Sequence, residues 1–402
     1  MSRPPTPKGP LAGLRVLDVA TVFAGPFTAA LLGDLGATVL KVEMPGTGDP
    51  LRSLGPFHED TSLTWAASAR NKRSVTLDLR TPRGQEVLLK LVAEHDVLVQ
   101  NFRPGTLGRW GIPMERLRQA NPDLIAVHVS GFGQDGPLAP KAGFGTPATA
   151  YSGFAHISGY PDRPPVLPSI SLVDYLAGMY GAIGALAALY QLKVAGGEPD
   201  DVDVALYESM FRMLEVVVAE YDILGQVRER TGNELAASSP AGIYETRDGQ
   251  WMVIVTSTER TFARLARAID REDMLTDSRY STNRERLARR DEVNEILSAW
   301  TRRHTRDEVA ARLDEHAVPA SAVYTVADIF ADEHYAARDM LVSVEHPELG
   351  DMRLPGVVPK FERHPGEVRT AGPRLGEHTD AVLRDLGYST EDLAELRAAG
   401  VI

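Results

Sequence analysis

The chain of 402 residues contains no cysteine. Disulfide scaffolds, thiolate metal sites, iron–sulfur clusters and cysteine nucleophiles are therefore excluded. A basic excess is also missing: 43 Lys and Arg stand against 55 Asp and Glu, a formal net charge of −12. Such a field disfavours non-specific binding to nucleic acid or an anionic membrane. No stretch reads as the roughly 20 continuous apolar residues of a membrane span. No apolar core follows the basic residues of Met1–Pro10, so no signal peptide is expected there. That segment carries four prolines and reads as a disordered tail. The simplest expectation is a soluble, cytoplasmic protein without a nucleic-acid or membrane partner.

Several signatures are missing too. There is no G-x-x-x-x-G-K-[ST], no H-E-x-x-H and no G-x-S-x-G. The ten histidines are scattered. His128 lies in an apolar strand and reads as a core residue. Asp314-Glu315-His316 and Asp332-Glu333-His334 read as solvated faces. Neither metal catalysis nor serine-hydrolase chemistry is expected.

What is present is ordinary globular composition, 43% hydrophobic and 24% charged, on a chain long enough for two domains. Short apolar runs alternate with helical patterns: Arg15–Ala20, then a helix over 27–35, then Thr38–Glu43. Such βαβ units imply a parallel sheet with crossover helices. Ser74–Leu79, a helix over 81–94, Asp96–Gln100 and Leu124–Ser130 continue the pattern, so residues 10–135 read as an open α/β layer. Lys141–Pro168 reads as loop. A strong helix follows over 174–194, with Gly178, Gly181 and Gly184 as a small-residue stripe, and a second over 206–224. Glycine costs about 1 kcal/mol in a helix, so the stripe implies close packing against a backbone or a ligand. From about residue 230 a separate unit begins. It has a hairpin over 242–256 with Asp248-Gly249 in its turn, then helices near 259–269, 283–301 and 305–315. Residues 341–361 read as β-rich and 378–398 as helical.

Two local features bear on chemistry. Gly131-Phe-Gly-Gln-Asp-Gly136 matches a dinucleotide fingerprint by letter. Pro137 and Pro140 forbid the helix that would hold a pyrophosphate, so it reads as a turn leaving a strand. Asp174 falls at a helix start. The helix dipole there favours an ionised carboxylate, which fits an N-cap or a nucleophile toward an acyl group. The local pattern leaves both open.

The chain as a whole resembles the class III (CaiB/BaiF-type) coenzyme A transferases. The motifs are Gly13-Leu-Arg-Val-Leu-Asp18, Ala24-Gly25-Pro26, Leu32–Ala37, Lys41-Val-Glu43 with Gly48-Asp49, and Arg70-Asn-Lys-Arg-Ser74 with Leu77-Asp-Leu79. Asn101–Gly105, Gly131–Pro137 and Leu375–Thr379 follow in order and spacing. The resemblance implies an α/β fold: a Rossmann-like large domain built from both chain ends (residues 11–225 and 331–402) plus a smaller α+β domain (226–330), in an interlocked homodimer. It implies an enzyme that moves CoA from an acyl-CoA, for which succinyl-CoA is the first trial, to a carboxylic acid. CoA is then part of the substrate, and no tightly bound cofactor is expected. By motif position Asp174 is the nucleophile. Val22, Phe23, Ala24, Leu77, Arg80, Asn101, Phe102, Arg103, Arg109 and Lys141 are the CoA contacts. Arg80, Arg103 and Arg109 would meet phosphates, and Phe102 and Leu77 would flank adenine. Lys72 and Arg73 belong to the motif without an assigned contact. Phe23, Phe144, Tyr151 and Phe154 suggest a partly apolar acid pocket.

Three departures narrow the expectation. Phe23 replaces the glutamine of formyl-CoA transferase, Met44 stands where a basic residue is common, and Ser238–Gly242 has one glycine where that enzyme has a glycine-rich flap. Oxalate and formate are therefore disfavoured. A related α-methylacyl-CoA racemase would need a histidine motif where this chain has Gly143-Phe144-Gly145, and His156 comes too late to supply it. A protein that binds CoA esters without transferring them, and an enzyme that hydrolyses them, would carry the same binding motifs.

Overall fold

A computed structural model describes residues 8–235 and 237–402. Of the tail expected over 1–10, residues 1–7 lie outside the described residues. Residues 8–10 are not a loose tail: Gly9 accepts the Ala12 N–H, and Leu11 N–H donates to Leu35 O at 2.9 Å.

Two compact units are present. The larger comprises residues 1–154, 167–225 and 334–402; the smaller comprises 155–166 and 226–333. The expected large domain included Ala155–Val166, a stretch that nothing in the sequence sets apart from its neighbours.

The larger unit is organised by six parallel strands: β1 (Arg15–Asp18), β2 (Thr38–Glu43), β3 (Lys72–Thr76), β4 (Val97–Gln100), β5 (Ile125–Ser130) and β6 (Val202–Ala205). Their order across the sheet is β3-β2-β1-β4-β5-β6. It reverses between β1 and β4, as in doubly wound nucleotide-binding sheets. The sixth strand was not foreseen, because four residues after a run of aspartates carry little periodic signal. It extends the sheet past the expected limit at 135.

Along each strand alternate residues enter opposite layers. Val16, Val39 and Val127 pack with α1 (Ala24–Asp34) and the long helix of residues 172–193. Leu17, Leu40 and Leu98 pack with α2 (Pro82–Ala93) and the C-terminal helices. α1 begins three residues before the expected 27, because Pro26 falls in the first turn, where its missing N–H costs nothing. The region read as loop contains the one- to two-turn helix α3 (Gly145–Tyr151). α4 (Leu172–Lys193) follows, then α5 (Leu206–Phe211) and α6 (Glu215–Leu224), separated by a tightened turn over 212–214 where one continuous helix was expected.

Contrary to expectation, one helix among the described residues, α4, is long and apolar enough to cross a membrane by length and composition. Its glycines are spent on packing within the unit. A Cβ on Gly178 would lie 2.9 Å from Ala24 O, one on Gly181 2.5 Å from Thr28 Oγ1, and one on Gly184 2.4 Å from Val202 Cγ1. Thr28 Oγ1 also donates to Gly178 O at 3.1 Å, fixing the α1–α4 crossing.

The smaller unit carries the expected hairpin, β7 (Ala241–Glu245) and β8 (Trp251–Val255), with β9 (Ala320–Ala322) added antiparallel to β8. Helices α7 (Glu259–Ala268), α8 (Arg290–Thr301) and α9 (Arg306–Glu315) cover it around Tyr244, Ile254, Leu297 and Trp300. The chain returns to the larger unit with the hairpin β10 (Leu341–His346) and β11 (Gly350–Pro355), then α10 (Thr379–Asp385) and α11 (Thr390–Ala398). Thr379 Oγ1 accepts the Thr76 N–H at 3.0 Å, and Asp78 N–H donates to Val401 O at 2.8 Å. The last residues thus lock the β3 edge.

Candidate active site

The site forms where the strand order reverses. Open α/β sheets bind ligands in the crevice at such a point, beyond the carboxyl ends of the strands. The loop after β1 runs through Val19–Phe23 into α1, and the segment after β4 begins with Asn101-Phe102. Val22, Phe23, Ala24, Asn101 and Phe102 therefore converge from two strand ends. Asn101 grips the first loop: its Oδ1 accepts the Thr21 N–H at 2.7 Å, and its Nδ2 donates to Thr21 O at 2.6 Å.

Beneath this loop lies a buried ionic network. Lys72 Nζ is 2.8 Å from Asp18 Oδ2 and donates to Pro26 O at 2.6 Å. Lys41 Nζ is 3.1 Å from Asp49 and donates to Ala20 O. Asp18, Lys41 and Asp49 are at most 1% exposed. Burial alone would push Lys41 down, but Asp18, Asp49 and Glu43 hold its pKa above the ordinary value. The motif lysine Lys72 thus braces the first turn of α1 from below.

Asp174 sits at the third position of α4, with Ser171 at the N-cap position, so the aspartate is not the cap. It lines a cavity of about 550 Å³ together with Val22, Phe23, Thr64, Phe144 and Tyr175. Tyr175 meets Phe27 edge-on at 4.8 Å and Phe23 at 6.1 Å, tying α4 to the start of α1. Room for the carboxylate comes from Gly145: a Cβ there would lie 2.1 Å from Asp174 Oδ2. Gly143 in turn crosses Gly131 so closely that a Cβ on Gly131 would lie 2.7 Å from its Cα. The glycines of Gly143-Phe144-Gly145 and the first of the G-x-G-x-x-G run are therefore shaped for this crossing. The expected dipole effect is outweighed. Burial pushes the Asp174 pKa up to about 6, only partly offset by its own backbone N–H.

A second, narrow slot of about 80 Å³ is lined by Val19, Met44, Leu77, Arg80, Phe102 and Trp110 among others. Phe102 and Trp110 meet edge-to-face at 4.9 Å. Arg80 is exposed and doubly bonded to Asp78, at 2.8 Å for each contact, with Nη2 3.4 Å from the Met44 sulfur. Met44 thus packs beside the guanidinium instead of adding a second charge.

The other predicted residues are not gathered here. Arg103, Arg109 and Lys141 are exposed and line neither cavity. Arg109 bonds Thr106 Oγ1 at 2.7 Å, and Lys141 lies 5.5 Å over the Phe132 ring. Phe23 and Phe144 line the larger cavity as expected. Tyr151 instead packs on Phe132 and Tyr207, and Phe154 packs against the main core. No histidine lines either cavity among the described residues. His128 bonds Gln100 at 2.6 Å inside the sheet, and His156 lies 3.4 Å from Glu229 in the smaller unit. Sequence reasoning missed Gly145, Tyr175, Trp110 and Asp49 as site components. For Gly145 and Asp49 the signal was present, since both lie in motifs already singled out.

A model of CoA-transferase family III matches residues 11–379. The chain belongs to CoA-transferase family III. A succinyl-CoA–L-malate CoA-transferase beta subunit from Chloroflexus aurantiacus is 45% identical, over 98% of each chain. A succinyl-CoA–D-citramalate CoA-transferase from the same organism is 43% identical, over 98% of this chain and 99% of its own. The crystal structure of a CaiB/BaiF family protein from Brucella suis superposes with a TM-score of 0.84 at 32% identity, covering 94% of this chain and all of the other. As a family III enzyme, the protein handles acyl-CoA and carboxylate substrates.

Proposed function

We propose that the protein transfers CoA from succinyl-CoA, or a similar dicarboxylic acyl-CoA, to a second carboxylic acid, with Asp174 as the covalent carrier. The observation that carries this reading is the Asp174 carboxylate. It is half-buried in a cavity, given room by Gly145, and set beside the start of α1. The first N–H groups of a helix have no acceptor within it. Those of Ala24 and Gly25 are suited to an oxyanion that forms next to Val22 and Phe23.

The chemistry runs in balanced steps. An Asp174 oxygen attacks the thioester carbonyl carbon, the C–S bond breaks, and CoA leaves as thiolate with a mixed anhydride behind it. The thiolate attacks the aspartyl carbonyl, releasing the donor acid and leaving an aspartyl-CoA thioester. The acceptor carboxylate attacks that carbonyl and frees the thiolate again. The thiolate then attacks the acceptor's acyl carbon, and the Asp174 carboxylate departs. One thioester is broken and one is formed, so the exchange is close to balanced in energy. Splitting it into covalent steps lowers each barrier. A pKa near 6 leaves Asp174 ionised at neutral pH yet poorly solvated, which sharpens it as a nucleophile.

The slot between Leu77, Phe102 and Trp110 suits an adenine ring, with Arg80 at its mouth for phosphate. The named activities of the Chloroflexus aurantiacus relatives support a succinyl-CoA donor. An interlocked homodimer is supported by the apolar surface left open on α4 and α6. Ile183, Tyr190, Val216, Tyr221 and Ile223 are each at least 60% exposed, and exposed apolar surface marks interaction sites where it is contiguous.

The test is turnover with succinyl-CoA and a panel of carboxylic acids, following CoA esters by mass spectrometry. New CoA esters are expected. Release of free CoA alone, or deuterium at the α-carbon from heavy water without new esters, contradicts the reading.

A further inference from the structure

Three consecutive peptide units of the loop over the active cavity are each held by a different side chain, two of which, Asp18 and Asp49, are buried. Ala20 donates its N–H to Asp18 at 3.1 Å, Thr21 is gripped by Asn101, and Val22 donates its N–H to the Asp49 carboxylate at 3.2 and 3.3 Å. The last of these is unusual. Val22 has φ of +68°, a left-handed conformation that is a genuine outlier for a β-branched residue. Glycine would adopt it without cost, yet valine stands there, and its side chain packs beside Leu51 and Trp65. Strained backbone of this kind persists only where its surroundings over-determine it.

Asp49 is what over-determines it. The carboxylate, 1% exposed, also accepts the Leu51 N–H at 2.9 Å and pairs with Lys41 at 3.1 Å. Its own N–H is anchored on Glu43 at 3.0 Å, and Arg52 holds Glu43 with two bonds of 2.7 and 2.9 Å. Asp49 does not line the Asp174 cavity, whereas Val22 and Phe23 do. The left-handed turn at Val22 sets where Phe23 and the first N–H groups of α1 stand relative to Asp174.

We infer that Asp49 is a positioning residue for the transfer reaction: by holding Val22 in its left-handed conformation it aims the start of α1 at the reacting carbonyl. The inference rests on Asp174 being the nucleophile. It requires that Asp49 act through the backbone of Val22, and this gives it a signature that a purely structural carboxylate lacks. In Asp49→Asn the acceptor is weakened and Val22 relaxes. Misplacement of a catalytic element by about 1 Å typically costs on the order of 100-fold in rate, so kcat should fall by about that factor with KM for the acyl-CoA nearly unchanged. Adding Val22→Gly should restore kcat at least about tenfold, because glycine takes the left-handed conformation unaided. A loss that Val22→Gly leaves unmoved, or a kcat near wild type in Asp49→Asn, overturns the inference.

Should Asp49→Asn fail to fold, Val22→Pro supplies the test with the ionic network intact. Proline fixes φ near −65° and has no N–H, so kcat should drop at least as far as expected for Asp49→Asn, and normal turnover overturns the inference. Wild-type transfer and its Asp174 adduct are measured in parallel. Their absence would sink the proposed function itself, whereas their presence beside an unimpaired Asp49→Asn sinks only the positioning role.

Discussion

Aspartates withdrawn from solvent to different depths, Asp18 and Asp49 fully and Asp174 partly, are treated in opposite ways in this protein. Asp18 and Asp49 sit among Lys41, Lys72 and backbone N–H groups, so their charges are matched. Asp174 is half-buried in a cavity with Gly145, Phe144 and Tyr175, and among the described residues no lysine or arginine lines that cavity. Burial therefore raises its pKa to about 6. The contrast teaches that burial by itself does not assign a role. A carboxylate surrounded by donors holds a loop, and one left without a counter-ion has the raised pKa that the proposed nucleophile would carry.

The contrast breaks most sharply at Asp174. Asp174→Ala should lower transfer by several orders of magnitude while CoA binding, read by calorimetry, persists. Transfer near the wild-type rate would erase the distinction. Next comes Gly145→Ala, whose added methyl falls on Asp174 Oδ2. A loss of about 100-fold in kcat is expected with the melting temperature little changed.

On the structural side the expected ordering reverses. Lys72→Met leaves Asp18 short of a buried partner and Pro26 O without its donor. Breaking a buried pair in this way costs about 3–5 kcal/mol, readable as a lower urea midpoint. The same measurement on Asp174→Asn should go the other way. The folded-state pKa of Asp174 is raised above the ordinary 3.8, so its carboxylate favours folding only while protonated. That contribution is present below about pH 4 and is lost as pH rises through about 6. Above that pH the charged carboxylate carries a penalty of roughly 3 kcal/mol at most. Asp174→Asn should then be more stable than wild type at pH 8 and no more stable at pH 4. The smallest effect is the pH profile: kcat/KM should fall about tenfold per unit below pH 6 as Asp174 takes up its proton.

Much of this architecture was legible in the sequence. The β1–α1–β2 unit, the hairpin β7–β8 and the glycine stripe of α4 follow from apolar periodicity and turn chemistry, which are local. The strand β6 was not legible, since Val202 and Val204 become a sheet edge only by pairing with β5. Asp174 could be picked out by its motif, but its raised pKa could not, because the desolvating residues come from the loop before α1, from α3 and from the 167–171 segment. The clamp on Val22 joins residues 27 apart in sequence, and the Gly48-Asp49 motif marks the clamp's carboxylate without naming the backbone it holds. Arg103 and Arg109 show the converse: they fit a motif by position, yet they stand exposed outside both cavities.

The most direct measurement is to quench the enzyme with hydroxylamine during turnover with succinyl-CoA and map the modified peptide. A hydroxamate at Asp174, absent when the acyl-CoA is withheld, is the predicted result. A hydroxamate at another residue, or full turnover with no enzyme-bound acyl species, would contradict the account.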